Sequence, residues 1–299
     1  MNIFFLGGNS FIFKNFIKKF YTKSFYDFTL YSRNFDVFFD DYPKIHFIKD
    51  NFNSVNYNFN FEEESVLLLG LWQSNPRTAL SLSDEINLNF NTYRSFFKKI
   101  NNQNIKHVVF FSSSAVYGEQ CLIPISEKSD PSPLNFYGVV KLQVENLILD
   151  YCYKNNIQVT ILRMSNVYGP YQYKQGLITT LIRNYNNKVV TSIWDDPNIL
   201  RDYIYIDDIS DLIHKILNKK SQYKIINASF GHAIKTSEII NLFKDKLKMD
   251  IKVNFSDSYF CKNIMMNNNL SNLLAKEEYQ WAPKVSLLMG MKKLISNGI

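Results

Sequence analysis

Cysteine and long apolar runs are both scarce in this chain. Its 299 residues include three cysteines and four histidines, and neither type shows the close spacing of metal ligands. The cysteines, Cys121, Cys152 and Cys261, are odd in number and scattered, which gives no disulfide framework and fits a reducing compartment. No run approaches the roughly 18 apolar residues of a membrane-spanning helix. We therefore expect a cytoplasmic protein with no metal site and no membrane partner.

Clustered basic charge is missing as well, although the formal net charge is +7. Lysine and arginine are spread along the sequence and form no basic tract of about five to eight residues. This spread disfavours nucleic acid as a partner, while a few of the cations could still bind a small anionic ligand. With 46% apolar residues, the chain can bury a large core.

Short apolar runs alternate with helix-like stretches through the first half of the chain. Such alternation is typical of right-handed βαβ units around a parallel sheet. The sequence therefore predicts an α/β fold with a doubly wound, Rossmann-like parallel sheet. The runs that we interpret as strands are 3–6, 28–31, 66–69, 108–111 and 159–162.

A hydroxyl, a phenol and an amine form the first candidate site. Ser113 follows an apolar run, so its hydroxyl should emerge at the carboxyl end of a buried strand, where α/β proteins bind ligands. Tyr137 and Lys141 have the spacing that places both on one helix face. A phenol with a pKa of about 10 is a poor base at neutral pH, and we expect the charge of Lys141 to favour the phenolate. A pair at this spacing is also common on solvated helix faces.

The order of motifs along the chain is more specific than any one motif. A glycine turn precedes the Ser113 segment and the Tyr137/Lys141 pair, and two further segments follow at 163–170 and 201–208. Over residues 1 to about 295, this order resembles the extended short-chain dehydrogenase/reductase family, in its NAD-dependent sugar-nucleotide epimerase/dehydratase branch.

This resemblance implies an arrangement of domains and an assembly. It implies a dinucleotide-binding domain at 1–165, to which 200–218 returns. A smaller, interleaved C-terminal substrate-binding domain would occupy 166–299. The resemblance also implies a homodimer, a nucleotide-sugar substrate and a role in the synthesis of polysaccharide precursors.

The resemblance further implies an NAD site that begins at the turn after the first strand. Family members have glycines at the positions of Gly7, Ser10 and Phe13, and this chain keeps the first of them. The missing glycines normally let backbone approach pyrophosphate and let helix and strand pack closely. A loop with lowered cofactor affinity and a purely structural turn therefore both stay open. The turn residues expected to contact the cofactor are Gly7, Asn9, Ser10, Phe11 and Ile12.

The adenosine end of the implied site lacks a carboxylate. Ser32 occupies the position of the family's NAD-selecting acid, with Arg33 beside it, so NADP stays open as an alternative to NAD. Asp50 resembles the residue near the adenine, although a lone Asp is also common in a strand-end turn.

The nicotinamide end would be formed by residues nearer the reacting atoms. Gly70 resembles the small residue under the cofactor. Asn89 resembles one that braces nearby backbone, although the polar face of a surface helix is nearly as good an interpretation. Tyr137 and Lys141 complete the implied cofactor site, with Lys141 bonding the nicotinamide ribose.

In the reaction that the resemblance implies, Tyr137 takes the proton of a sugar hydroxyl, usually at C4, while hydride passes to the cofactor. Ser113 would hold the same hydroxyl. The implied substrate contacts are Ser113, Ser114, Asn166 and Arg201, and the guanidinium of Arg201 suits a diphosphate because it can bond two oxygens at once. Where relatives place a late Arg, this chain has Phe260 to Asn263, and Lys262 could substitute.

Three functions stay open. The runs 175–178 and 192–196 resemble branches assigned as UDP-glucose-type 4-epimerases, which favours a C4 epimerase of a UDP-sugar. Ser32 favours the alternative, an NADPH-dependent reductase of a 4-keto-6-deoxy sugar nucleotide. The altered glycine turn would suit a non-catalytic nucleotide-binding relative. Dehydration is disfavoured, because Ser114 and Ala115 stand where it needs adjacent carboxylates.

Overall fold

Strands and helices alternate along the chain, as the sequence pattern predicts. The computed structural model describes residues 1–22, 25–49, 61, 63–75, 80–172, 176–193, 196–222, 224–255 and 265–298. The strands are β1 (Asn2–Leu6), β2 (Asp27–Ser32), β3 (His46–Lys49), β4 (Ser65–Leu69), β5 (Ile105–Ser113), β6 (Gln158–Met164), β7 (Asn166–Tyr168), β8 (Thr191–Ile193), β9 (Leu200–Tyr205), β10 (Ile225–Ala228), β11 (Ala233–Lys235), β12 (Val253–Phe255) and β13 (Asn267–Asn268).

The helices vary in length from one turn to five. They are α1 (Phe11–Phe20), α2 (Leu82–Glu85), α3 (Asn91–Lys99), α4 (Phe136–Lys154), α5 (Leu177–Asn186), α6 (Ile206–Leu217), α7 (Thr236–Asn241), α8 (Leu273–Tyr279) and α9 (Leu287–Ser296). A π-helical turn at Ile86–Phe90 joins α2 to α3. Within the described ranges, no helix combines the length and the apolar character needed to cross a membrane.

Seven strands form one parallel sheet in the order β3-β2-β1-β4-β5-β6-β10. Helices α1 and α6 cover one face, and α3 and α4 cover the other. The predicted doubly wound, Rossmann-like fold is therefore confirmed. The strand order changes direction between β1 and β4, which opens a crevice at the carboxyl ends of these strands, where such sheets bind ligands.

The strands outside this sheet form a smaller layer. Strand β9 pairs with β7, β11 and β13, and β8 pairs with β12. We expected the strand and the helix of 200–218 to return to the large sheet. Helix α6 does cover one face of that sheet beside α1, whereas strand β9 pairs within the smaller layer. Instead β10 extends the large sheet beside β6.

A buried histidine in β5 makes stability depend on pH. Burial lowers the pKa of His107 to about 4, and its Nε2 lies 2.9 Å from Thr160 Oγ1. An unfolded histidine has a pKa of about 6.5, so the unfolded chain binds this proton first as pH falls. Between pH 6.5 and 4 the free energy of unfolding should drop by up to roughly 3 kcal/mol from this group.

We expect His107→Gln to flatten the fall in melting temperature between pH 7 and pH 4.5, because glutamine can keep a hydrogen bond and cannot titrate. His46→Gln, at an exposed position of β3, is the matched control and should leave the slope unchanged. Equal slopes for His107→Gln and the unmodified protein would show that His107 does not contribute.

Candidate functional site

The turn after β1 lies close against its neighbours. Gly7 has a φ of +90°, which favours glycine, and a Cβ there would lie 2.8 Å from the backbone of Leu71. The N–H groups of Gly7 and Gly8 donate to the carbonyl of Tyr31 at 3.1 and 3.2 Å. Gly7 is the one of the family's three turn glycines that this chain keeps, and its positive φ and the nearby Leu71 backbone both require a glycine at this position.

Ser10 begins α1 as its N-cap, with its Oγ accepting from the N–H of Phe13 at 3.4 Å. The first-turn N–H groups of Phe11 and Ile12 have no acceptor within the helix, and the helix dipole makes this end attractive to anions. Asn9 donates from Nδ2 to the carbonyl of Asn34 at 2.7 Å, while its buried Oδ1 has no partner among the described residues. These groups fit the pyrophosphate and ribose of a dinucleotide.

Phe13 is a core residue. Its ring is fully buried and packs at 4.3 Å from the Phe5 ring and 5.2 Å from the Phe111 ring, measured between centroids. A Cβ on Gly70 would lie 2.9 Å from Phe13 Cζ. Phe13 fits where helix α1 crosses the sheet because Gly70 has no side chain, and this leaves room for the ring.

The other predicted adenosine contacts lie at the end of β2. Ser32 is buried, and the exposed Arg33 donates to Gln73 Oε1 at 3.3 Å. Asp50 lies outside the described residues. Ser32 therefore places a hydroxyl at the end of β2, where family members have an acid.

Ser113 and Tyr137 meet at the carboxyl end of β5. Asn135 caps α4 by accepting from the N–H of Gly138 at 2.9 Å, and a Cβ on Gly138 would lie 2.6 Å from the carbonyl oxygen of Ala115. This close approach brings the start of α4 to the Ser113 segment. Ser113 is hydrogen-bonded to Tyr137, and its Oγ also accepts from the N–H of Ala115 at 3.2 Å.

The electrostatics of the phenol differ from the expectation. Burial raises the pKa of Tyr137 to about 12, and Glu85 raises it further, while the hydrogen bond with Ser113 lowers it. Burial also lowers the pKa of Lys141 to about 7. The expected stabilisation of the phenolate by Lys141 is therefore missing in this state, because burial disfavours both charged forms.

Lys141 is enclosed by aromatic rings. Its Nζ donates to the carbonyl of Phe111 at 2.8 Å and lies 3.8 Å from the centroid of the Trp72 ring and 5.9 Å from that of Tyr137. Only 4% of the residue is exposed. Tyr137 and Lys141 do share one face of α4, but Trp72 covers the amine that the resemblance assigns to the cofactor ribose.

Trp72 is held by a buried polar cluster that the motifs did not reveal. Its Nε1 donates to Ser74 Oγ at 2.9 Å, and Ser74 donates to Glu85 Oε2 at 2.8 Å. Asn89 donates to the same carboxylate oxygen at 2.8 Å and accepts from the N–H of Gln73 at 3.0 Å. Asn89 therefore holds the backbone at Gln73, and its contact with the cofactor stays a prediction. The available signal was Trp72 itself, an aromatic residue three positions after the apolar run 66–69.

We expect Trp72→Ala to raise the pKa of Lys141 towards its ordinary value, because water regains access to the amine. Loss of the cation–π contact opposes this rise, but that contact contributes only about 1 to 2 kcal/mol. Carbon-13 NMR titration of labelled lysines would measure the change. Trp72→Phe, which keeps a ring over the amine, is the control, and a fall in pKa for Trp72→Ala would contradict the proposed cause.

A second buried network fixes α4 to the sheet. Arg163 donates to Glu145 through Nη2 at 2.7 Å, and Ser112 donates to the same carboxylate. The guanidinium also lies over the Tyr117 ring, 4.7 Å from its centroid. Because Glu145 is on α4, one turn after Lys141, this ion pair positions the helix that carries the phenol and the amine.

A cavity of about 490 Å³ lies between the carboxyl ends of β5 and β6 and the smaller layer. It brings together the predicted substrate contacts Ser113, Ser114, Asn166 and Arg201. Other polar residues on its walls were not predicted. They are Asn75, Asn135, Ser165, Gln172, Thr180, Thr191, Ser192, Tyr203 and Asn268.

Arg201 and Asp202 do not form the local ion pair that their spacing allows as an alternative. Arg201 lines the cavity and donates from Nη1 to the carbonyl of Met265 at 2.6 Å. Asp202 is fully buried and accepts from the N–H groups of Phe230 and Gly231 at 2.9 and 2.8 Å. Asn166 donates to the carbonyl of Asp202 at 3.0 Å. The side chains of Arg201 and Asp202 thus lie in different surroundings, as expected for neighbouring residues of a strand, whose side chains point to alternate faces.

Some predicted segments lie outside the described residues. These are 260–263, including the Lys262 expected to substitute for an Arg, and parts of the runs 175–178 and 192–196.

Comparisons with known proteins give the same fold and a family. A Bacillus cereus UDP-glucuronic acid 4-epimerase, solved with UDP-glucuronic acid and NAD, superimposes with a TM-score of 0.87 at 21% identity, covering 99% of this chain and 98% of that one. A Thermotoga maritima UDP-glucose 4-epimerase, solved with UDP-glucose, gives a TM-score of 0.85 at 21% identity over the same shares.

Sequence relatives include enzymes of two reaction types. A Methanocaldococcus jannaschii protein named "Putative UDP-glucose 4-epimerase" is 25% identical, covering 85% of this chain and 84% of its own length. The dTDP-4-dehydro-6-deoxyglucose reductase of Escherichia coli is 28% identical, covering 68% of this chain and 64% of its own length. The family model for the NAD dependent epimerase/dehydratase family matches residues 48–229. Because this match spans more than half of the chain, the protein belongs to the NAD-dependent epimerase/dehydratase family, as the motif order predicts.

Proposed function

We propose that the protein epimerises a nucleotide sugar at C4, using NAD and a 4-keto intermediate. One observation carries this proposal: Ser113 is hydrogen-bonded to Tyr137 and lines the same cavity as Arg201. The hydroxyl that bonds the phenol and a guanidinium suited to a diphosphate therefore face one ligand space. The sequence relatives include the Methanocaldococcus jannaschii protein named "Putative UDP-glucose 4-epimerase", which supports UDP as the nucleotide.

The residues at the start of α1 would hold the cofactor. Gly7, Asn9 and Ser10 form the turn, and the N–H groups of Phe11 and Ile12 would bond the pyrophosphate. NAD, when bound, would supply the hydride acceptor for the oxidation at C4 and the hydride donor for the reduction that follows. Lys141 would contact the cofactor once Trp72 leaves its present position.

Tyr137 would remove the proton from the C4 hydroxyl while Ser113 holds the same oxygen. The protonated phenol of this state cannot act as a base, because the pKa of Tyr137 is about 12. It therefore needs a nearby positive charge, and Lys141 becomes a source of one when contact with ligand or water restores its ordinary pKa. Tyr137 then returns the proton after the keto sugar has presented its other face.

The purified protein, incubated with UDP-glucose or UDP-N-acetylglucosamine and no added nicotinamide, is expected to form the C4 epimer, because epimerisation has no net redox change. Chromatography of the nucleotide sugars measures the product. Arg201→Ala should mainly raise KM, with a smaller effect on kcat. Conversion seen only with NADPH and a 4-keto sugar nucleotide would contradict the epimerase.

A reductase of 4-keto sugar nucleotides is the second candidate. The observation that favours it is Ser32, which leaves no carboxylate at the end of β2 for the ribose hydroxyl of NAD. Similarity to the Escherichia coli reductase supports it too. Mass spectrometry of the copurifying cofactor separates the two, since an epimerase retains NAD and a reductase exchanges NADPH.

A further inference from the structure

We propose that Trp72 acts as a gate for the cofactor: its indole lies where the nicotinamide riboside half of NAD would contact Lys141, and binding of that half displaces the indole. This inference rests on the proposed function, because it concerns the cofactor of the same site. The adenosine and pyrophosphate half would bind at the turn after β1 without displacing Trp72. The gate therefore acts on one half of the dinucleotide.

Trp72 lies between the two ends of the proposed cofactor site. Strand β4 lies between β1 and β5 in the large sheet, and Trp72 is the third residue after β4. The pyrophosphate turn follows β1, and Ser113 ends β5. The backbone of Leu71 lies 2.8 Å from the position of a Cβ on Gly7. A dinucleotide that runs from this turn to the proton-transfer group must therefore pass the segment that carries the indole.

The indole closes off the amine of Lys141. The Trp72 ring centroid lies 3.8 Å from Nζ, which is van der Waals contact, and the Phe110 centroid lies 4.8 Å from the same atom. Nζ donates to the carbonyl of Phe111 at 2.8 Å. Because only 4% of Lys141 is exposed, a ribose hydroxyl cannot reach Nζ in this conformation. A contact between Lys141 and the cofactor requires the indole to leave.

The backbone of the segment is fixed, whereas the indole is held more loosely. Asn89 accepts from the N–H of Gln73, and Ser74 donates to the buried Glu85. The hydrogen bond of the indole is local, from Nε1 to Ser74 two residues further along, and Trp72 is half-buried. Water can replace this hydrogen bond at little cost. The displacement is therefore a rotation of the Trp72 side chain on a stationary backbone.

Release of the indole also changes the charge of the amine. Burial lowers the pKa of Lys141 to about 7. Hydroxyl oxygens of a ribose accept hydrogen bonds from an ammonium group and so favour the charged form. The charged Lys141 then favours the phenolate of Tyr137. Binding of the nicotinamide half and activation of the phenol are thus coupled through Trp72.

Isothermal titration of the full chain, stripped of copurifying nucleotide, with NAD and with ADP tests the gate. ADP has the adenosine and pyrophosphate groups and lacks the nicotinamide riboside. We expect Trp72→Ala to bind NAD about tenfold tighter than the unmodified protein, because the cofactor no longer breaks the cation–π contact. ADP affinity should stay within about twofold, which also shows that the variant is folded. Trp72→Phe keeps a ring over the amine and is the matched control, with NAD affinity within about threefold.

Tryptophan fluorescence measures the displacement itself. The emission of Trp72 is the difference between the spectra of the unmodified protein and Trp72→Phe. It should move to longer wavelength at saturating NAD, because the displaced indole meets water, and should keep its wavelength with ADP.

Unchanged or weaker NAD binding by Trp72→Ala would overturn the gate. Emission that NAD quenches without a shift would overturn it too, since the indole then stays and stacks on the cofactor. Both results leave the proposed function to the epimerase assay. Failure of the unmodified protein and of Trp72→Ala alike to bind NAD would overturn the gate and the proposed function together.

Discussion

Tyr137→Phe is expected to lower kcat by on the order of 10³-fold, because it removes the only atom of this side chain that can carry a proton. The phenylalanine ring keeps the edge contact with Trp72, whose centroid lies 5.8 Å away. Melting temperature and nucleotide binding should therefore change little. Turnover within tenfold of the unmodified enzyme would rule out Tyr137 as the proton-transfer group.

Two variants calibrate this result. Tyr153→Phe, near the far end of the same helix and 79% exposed, should leave kcat unchanged. Ser113→Ala should cost about 10² to 10³-fold, as expected for one positioned hydrogen-bond donor. An unchanged rate for Ser113→Ala would make its contact with Tyr137 purely structural.

Phe13→Ala is expected to lower the free energy of unfolding by about 3 to 5 kcal/mol, because it opens a cavity between α1 and the large sheet. Urea denaturation measures the loss. Phe25→Ala, at a position 98% exposed, should change stability by less than about 0.5 kcal/mol and serves as the control. A loss below about 1 kcal/mol for Phe13→Ala would mean that the core repacks around the gap.

The packing of Phe13 also determines the effect of replacing Ser10 and Phe13 by the glycines that family members have at these positions. Glycine at position 10 would remove the hydroxyl that caps α1. Glycine at position 13 would empty the space between Phe5 and Phe111. The turn has its own geometry, so we expect weaker cofactor binding in such a double variant, with a partly unfolded α1.

The large sheet was predictable because parallel strands are buried on both faces and leave near-continuous apolar runs. Strand β9 does not follow this pattern. It carries Arg201 and Asp202 and belongs to the smaller layer, where Arg201 lines the cavity. The position of Ser113 at the carboxyl end of a buried strand was predictable for the same reason. Pairing of β9 with β13 depends on residues far apart in sequence, which no local pattern encodes.

The residues that surround Tyr137 and Lys141 could not be predicted from the sequence. Trp72 and Glu85 reach Lys141 and Tyr137 only through tertiary packing. Burial raises the pKa of Tyr137 and lowers that of Lys141, so both groups favour their neutral forms. This is the opposite of the simple expectation that a neighbouring lysine favours a phenolate. Spacing can place two side chains on one helix face, but it carries no information on how much water reaches them.

The contact between Phe13 and Gly70 ties together two sites that are distant in the chain. A side chain at position 70 is excluded while the phenylalanine ring is present, and a small residue at position 13 leaves a void while position 70 stays glycine. Each change alone is harmful, whereas the pair Phe13→Ala with Gly70→Ala should recover part of the lost stability. We therefore expect positions 13 and 70 to be epistatic, so that a substitution at one changes which residues the other can accept.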